Sequence, residues 1–118
     1  PSERVVANTF EEIFAGARGK IFIATFASNI NRIQQVIDVA VRFGRKVAIA
    51  GRSMARNTEI AQELGYLKVP PDTWIRLEEV KDYFPVEIVV LTTGSQGEPL
   101  SALTRMAMDE FPKVKVEP

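Results

Sequence analysis

Val86-Glu87-Ile88-Val89-Val90-Leu91-Thr92-Thr93-Gly94-Ser95-Gln96-Gly97-Glu98-Pro99 is the stretch whose reading decides the fold. Residues 86–92 form the most apolar run of the chain, without alternation, as expected of a strand buried on both faces. The run enters a polar loop bracketed by Gly94 and Gly97. A helical pattern with Leu100, Leu103 and Met106 follows. A buried strand that turns through glycines into a helix start is a common anion-holding place in α/β folds. Helix-start N–H groups point at the ligand there, and the glycines let it approach the backbone.

The same grammar repeats toward the N-terminus. Residues 20–26 and 46–50 read as two further buried strands, and Val114-Lys115-Val116 as the start of another. Between them lie amphipathic helical patterns. Val6, Phe10, Ile13, Phe14 and Ala17 share one face behind a predicted Ser2 N-cap. Ile30, Ile33, Val36, Ile37, Ala40 and Val41 share a second, and Ile60, Ala61 and Leu64 a third. After Pro70-Pro71-Asp72-Thr73, a short helix is predicted with Leu77 and Val80 inward. Strands alternating with helices predict a Rossmann-like, three-layer α/β/α fold. Its sheet is mainly parallel with about four strands and has helices on both faces. Right-handed crossovers then gather three turns on one edge: 27–29, 51–53 and 94–97.

Composition narrows the function. The chain has 118 residues, 15 Lys and Arg against 15 Asp and Glu, and neither His nor Cys. That length suits a single domain over 1–118. Zero net charge predicts no general attraction to nucleic acid or membrane, while leaving room for a local basic patch. Without Cys there are no disulfides, and a cytoplasmic location is expected. No apolar run approaches the roughly 20 residues of a membrane span. Residue 1 is proline, and a helix is expected to open at Ser2, so a piece of a longer chain is expected.

The three turns supply the candidate binding residues. Gly94 and Gly97 free the backbone to approach an anion, and Ser95 and Gln96 add donors. Arg52 can give two parallel bonds to a phosphate, and Ser53 can add a hydroxyl. Ser28, Asn29, Arg32 and Glu98 are supporting candidates. Each has a plainer reading beside the functional one. The glycines would also serve a tight turn, Ser53 and Asn29 would also cap helices, and Glu98 would also stabilise a helix dipole. Arg42, Arg45 and Lys46 read as a solvated cluster at a helix end. Trp74 reads as packing on the proline turn or as a stacking platform for a base. Glu78, Glu79 and Asp82 read as a solvated helix face. The loop is neither a P-loop, since no Gly-Lys-Ser/Thr follows, nor a dinucleotide fingerprint, since the third glycine is missing.

Taken as a set, these segments resemble a known family. They are Ala24-Thr25-Phe26-Ala27-Ser28-Asn29-Ile30-Asn31-Arg32, Gly51-Arg52-Ser53-Met54, and Thr92-Thr93-Gly94-Ser95-Gln96-Gly97-Glu98-Pro99 with Arg105-Met106-Ala107. In order and spacing they are similar to the β-CASP domain of ribonuclease J, a ribonuclease of the metallo-β-lactamase superfamily. The resemblance covers nearly the whole chain. It implies a domain that clamps RNA over a two-zinc site held by the metallo-β-lactamase domain of the same parent chain. It also implies a parent hydrolase that cuts RNA internally, acts as an exonuclease from a 5′-monophosphate end, serves RNA processing and forms a homo-oligomer. Carried over, Gly94, Ser95, Gln96 and Gly97 become phosphate-pocket residues, Arg52 and Ser53 help grip the terminal nucleotide, and Glu98 orients the loop. The family's metal ligands are His and Asp of the surrounding domain. None can be placed on this chain, so no catalytic residue, metal or cofactor is assigned to it and the isolated chain is expected to be inactive.

Two rival readings use the same loop chemistry. One is a free-standing α/β module for a nucleotide or other phosphorylated small molecule. The other is an interaction domain that uses the loop edge for protein contact.

Overall fold

The computed structural model describes residues 3–93 and 113–117. The predicted Ser2 cap, the loop 94–97, Glu98 and the helical pattern through Leu100, Leu103 and Met106 lie outside the described residues. Among the described residues there are three α-helices and five strands: α1 Glu3–Gly16, β1 Lys20–Ala24, α2 Ile30–Arg42, β2 Lys46–Ala50, α3 Arg52–Glu63, β3 Trp74–Ile75, β4 Ile88–Thr92 and β5 Lys113–Glu117. The strands form one sheet in the order β3-β2-β4-β1-β5. The first four are parallel, and β5 runs antiparallel to β1 along Lys20↔Glu117 through Ala24↔Lys113. The expected mainly parallel α/β architecture is therefore present, with an antiparallel edge strand added.

Why these segments become central strands is visible in their side chains. Ile21, Ile23, Val47, Val89 and Leu91 belong to one core cluster, while Ala50, Ile88 and Val90 belong to another. Alternate residues of a strand point to opposite faces, so the two clusters are the two faces of the sheet. All five residues of β4 are buried, which is why the run 88–92 shows no polar alternation. Val6, Phe10 and Phe14 of α1, five apolar residues of α2 (Ile33, Val36, Ile37, Val39, Ala40), and Met54 and Ala61 of α3 cover the first face. The second is covered in part by Val80 and Tyr83, in and beside the first of two 3-10 helices, Leu77–Asp82 and Pro85–Glu87.

Several expectations are corrected. The strand expected over 20–26 ends at Ala24, and Val41 of α2 is exposed while Val39 is buried. The strand expected over 86–92 begins at Ile88. Pro85 opens a 3-10 turn, and the Glu87 carboxylate accepts the Phe84 N–H at 2.9 Å, holding the turn closed. The inward stripe of α3 is Met54, Thr58 and Ala61, spaced four and three residues apart; Ile60 and Leu64 fall beside it and are exposed. Leu77 is exposed rather than inward, because the 3-10 segment turns only Val80 toward the sheet. Glu79 is more than a solvated acid: its carboxylate accepts the Arg76 N–H at 2.7 Å and starts that segment.

Arg45 is the largest correction. It is buried, not solvated, at 3% exposure. Its Nη1 donates to the carbonyls of Gly19 at 2.8 Å and Ile88 at 2.9 Å, and its Nη2 to that of Ala17 at 3.0 Å. The guanidinium also lies 5.7 Å from the centre of the Phe14 ring. One side chain thus ties the entry of β1, the entry of β4 and the end of α1 to the start of β2. Desolvation lowers its pKa from the ordinary arginine value. Arginine starts so far above neutrality that the charge persists.

Candidate functional site

Register sets the site. Thr92 of β4 pairs with Ala24 of β1 on one side and with Ala50 of β2 on the other. The three strands therefore finish level, and the β1–α2 turn and the start of α3 flank the end of β4. The order of the strands makes this a switch point. The connections from β1 to β2 and from β2 to β3 step in one direction, and the connection to β4 steps back between them. Open α/β sheets bind ligands in the crevice at such a place, beyond the carboxyl ends of the strands.

The floor of the site is a row of buried threonines. Thr25, Thr92 and Thr93 are 6%, 0% and 0% exposed. The Thr25 N–H donates to the Thr92 carbonyl at 3.0 Å, and Thr92 Oγ1 donates to the Ala50 carbonyl at 3.1 Å. A buried hydroxyl is tolerated because it is bonded in this way. These bonds fasten the last rungs of three strands. The chain then passes from Thr93 toward Gly94, where the predicted loop begins.

On one flank, residues 25–29 turn tightly into α2. The Asn29 N–H donates to the Phe26 carbonyl at 3.0 Å, and Asn29 Oδ1 accepts the Arg32 N–H at 3.0 Å. Asn29 is thus the N-cap of α2, the plainer of its two readings. Ser28 is exposed, whereas Arg32, one turn in, is 7% exposed. On the other flank, β2 enters α3 through Gly51 alone. Its φ of 119° is a backbone conformation that suits glycine and few other residues. Gly51 is the N-cap and supplies no side-chain bond to the first turn. Ser53 therefore does not cap α3; it stands exposed in the first turn beside exposed Arg52. Asn57 Nδ2 donates to the Ala27 carbonyl at 3.1 Å, so α3 and the β1–α2 turn are pinned together.

Charge follows the same geometry. Neither α2 nor α3 has an acidic residue in its first turn. Carboxylates are favoured there because they offset the positive end of the helix dipole. Neither positive end is offset by an acid of its own first turn, and Arg32, Arg52 and Arg56 add cations close to them. Neither Arg52 nor Arg56 has a carboxylate partner among the described residues. Among the described residues the arrangement suits an anion, and its exposed donors are Ser28, Arg52 and Ser53. The four loop candidates 94–97 and Glu98 lie outside the described residues.

Sequence reasoning missed the buried threonines, Asn57 and Phe26. Phe26 is 52% exposed at the edge of this site. Its exposure is unexpected for a strand-terminal aromatic, and its place at the end of the 20–26 run was the available signal. The paired absence of acids after Asn29 and Gly51 was also legible in the sequence.

The donor set does not fit a zinc site. The chain has no histidine or cysteine, and no three Asp or Glu residues gather within reach of one ion among the described residues. No helix among the described residues is long and apolar enough to cross a membrane.

Residues 18–118 match the family described as Ribonuclease J, beta-CASP domain. The chain belongs to the β-CASP domain of ribonuclease J. Its relatives include Ribonuclease J of Thermus thermophilus, 48% identical over 118 residues, which are 100% of this chain and 20% of that protein. Ribonuclease J of Helicobacter pylori is 45% identical over 118 residues, 100% of this chain and 17% of its own length. Ribonuclease J of Mycobacterium tuberculosis is 46% identical over 110 residues, 93% of this chain and 20% of its own length. The β-CASP chain thus spans a fifth or less of these relatives.

Proposed function

We propose that this β-CASP domain holds RNA for a metal-dependent ribonuclease and recognises a 5′-monophosphate end at the carboxyl edge of its sheet. The observation that carries the reading is the pair of acid-free helix starts, α2 and α3, on either side of the strand that leads into Gly94-Ser95-Gln96-Gly97. A terminal monophosphate carries more negative charge than an internal phosphodiester. A cradle of backbone N–H groups and guanidinium therefore favours the end over the interior. In this reading Arg52 offers a two-pronged donor and Ser53 a hydroxyl. Residues 94–97 supply backbone and side-chain donors, and the buried threonine row keeps the edge rigid. Hydrolysis itself is assigned to residues outside this chain, because the chain has neither His nor Cys and the described residues gather no metal-holding cluster.

The test is a titration of the chain with 5′-monophosphate and 5′-hydroxyl versions of one short RNA, followed by backbone amide shifts. Selective shifts at 52–53 and 94–97 with the monophosphate form are expected, and Arg52→Ala should remove most of that selectivity. Identical shifts with both RNAs would sink the assignment. Saturable binding of a mononucleotide with no dependence on RNA length would favour the free-standing nucleotide module instead. Metal-dependent cleavage by the chain alone would overturn the division of labour.

A further inference from the structure

A second feature lies around the corner from this edge. A groove of about 840 Å³ runs between α3 and the edge strand β3. Arg52 and Arg56 line its α3 side, and Trp74 and Arg76 its β3 side, with Glu59 and Glu78 also on its walls. Trp74 pairs with Val47 and Ile75 with Ala48, so the chain beyond β3 advances toward the carboxyl edge. The groove therefore starts at Arg52, a residue of the candidate phosphate site, and ends near Trp74. The indole is fixed from α3: Trp74 Nε1 donates to Gln62 Oε1 at 3.1 Å, and the ring packs half-buried against the core.

We infer that this groove is a track for single-stranded RNA, with a base stacked on Trp74 and the backbone phosphates on Arg52 and Arg56. The inference rests on the reading of the domain as an RNA holder. Arg52 and Arg56 stand four residues apart on α3, about 6 Å of rise, a spacing that suits successive phosphates of an extended strand. Neither has a carboxylate partner among the described residues. Arg76 pairs with Glu78 at 3.8 Å and Glu79 at 3.6 Å, so a phosphate there competes with carboxylates and the main grip falls to α3. An aromatic platform beside a row of guanidinium groups binds a strand without reading its sequence, since every base has a π-face. Glu59 and Glu78 disfavour an acidic peptide that would fill the groove evenly. An RNA strand meets the cations at discrete phosphates.

The chain has one tryptophan, so its emission reports on Trp74 alone. The experiment titrates the chain with a 12-nucleotide RNA lacking phosphate at both ends and reads Trp74 emission and RNA anisotropy. Quenching that weakens as salt rises is expected. Arg56→Ala and Trp74→Leu should each weaken binding about tenfold. Arg56 is exposed, so its variant keeps the fold, which circular dichroism checks. Unchanged emission, or an affinity that Arg56→Ala does not move, would overturn the groove. The same quenching with polyglutamate would overturn the choice of RNA. The 5′-phosphate comparison separates the two sites. Loss of terminal-phosphate selectivity with quenching intact breaks the edge pocket and spares the groove; selectivity without quenching does the reverse.

Discussion

Where β1, β2 and β4 begin, the arginine of the sheet edge is Arg45, buried at 3% exposure and committed to carbonyls of Ala17, Gly19 and Ile88. Where the same strands end, the arginine of the edge is Arg52, exposed and without a carboxylate partner among the described residues. Both residues sit next to β2 and carry the same charge. The first is desolvated, and its cost is met by charge-assisted bonds to the backbone. The second keeps its hydration and, in the proposed reading, its donors for a ligand. One end of the sheet uses its cation to close the fold, and the other leaves its cation exposed. The acids divide the same way. Glu78, Glu79 and Glu87 open the two 3-10 segments, while the first turns of α2 and α3 have none.

This contrast can be broken most severely at the closed end. Arg45→Met removes the donors to the backbone carbonyls of Ala17, Gly19, Pro85 and Ile88 and should cost about 3 kcal/mol or more, since each buried acceptor left unpaired is penalised. Urea unfolding measures it, and a loss below about 1 kcal/mol would show that the clamp is not structural. At the open end, Thr92→Val removes the hydroxyl bond to Ala50 while keeping shape. A loss of about 1–2 kcal/mol is expected, and hydrogen exchange should rise at Thr25 and Ala50 before it rises elsewhere. Asn29→Ala removes the α2 cap and should cost about 1 kcal/mol, with a thermal melt as the readout. Arg52→Ala should change stability by less than about 0.5 kcal/mol, as exposed substitutions do, while weakening binding of 5′-monophosphate RNA about tenfold. A large stability loss with binding intact would reverse the roles given to the two ends.

The smallest effect concerns pH. Arg45 has a folded pKa below its unfolded one. Its burial cost is therefore fully present at neutral pH and is relieved only as pH rises through that lowered value toward the unfolded one. The chain has no histidine or cysteine, the side chains that ordinarily titrate near neutrality. Stability should therefore stay flat between about pH 6 and 8. A marked slope in melting temperature over that window would mean that folding raises a carboxyl pKa into it.

The sequence alone was enough for the alternation of strands and helices, for the apolar runs 20–26, 46–50 and 86–92 that hold β1, β2 and β4, and for the edge shared by the turns 27–29 and 51–53. These follow from local apolar periodicity and from the handedness of crossovers, both of which act over short stretches of chain. The polar positions Ser28, Asn29, Arg52 and Ser53 were legible for the same reason: they sit in turns that a local pattern already marks. Tertiary structure alone decided which arginine is buried. Arg42, Arg45 and Lys46 look alike in sequence. Arg42 pairs with Glu11 on the surface, and Arg45 alone meets a cluster of carbonyls drawn from residues 26 to 43 positions away. Tertiary structure also decided that β4 inserts between β1 and β2, that Ile60 and Leu64 face outward, and that the Trp74 indole bonds to Gln62 of α3. Each depends on pairings between distant segments, and no local period encodes those.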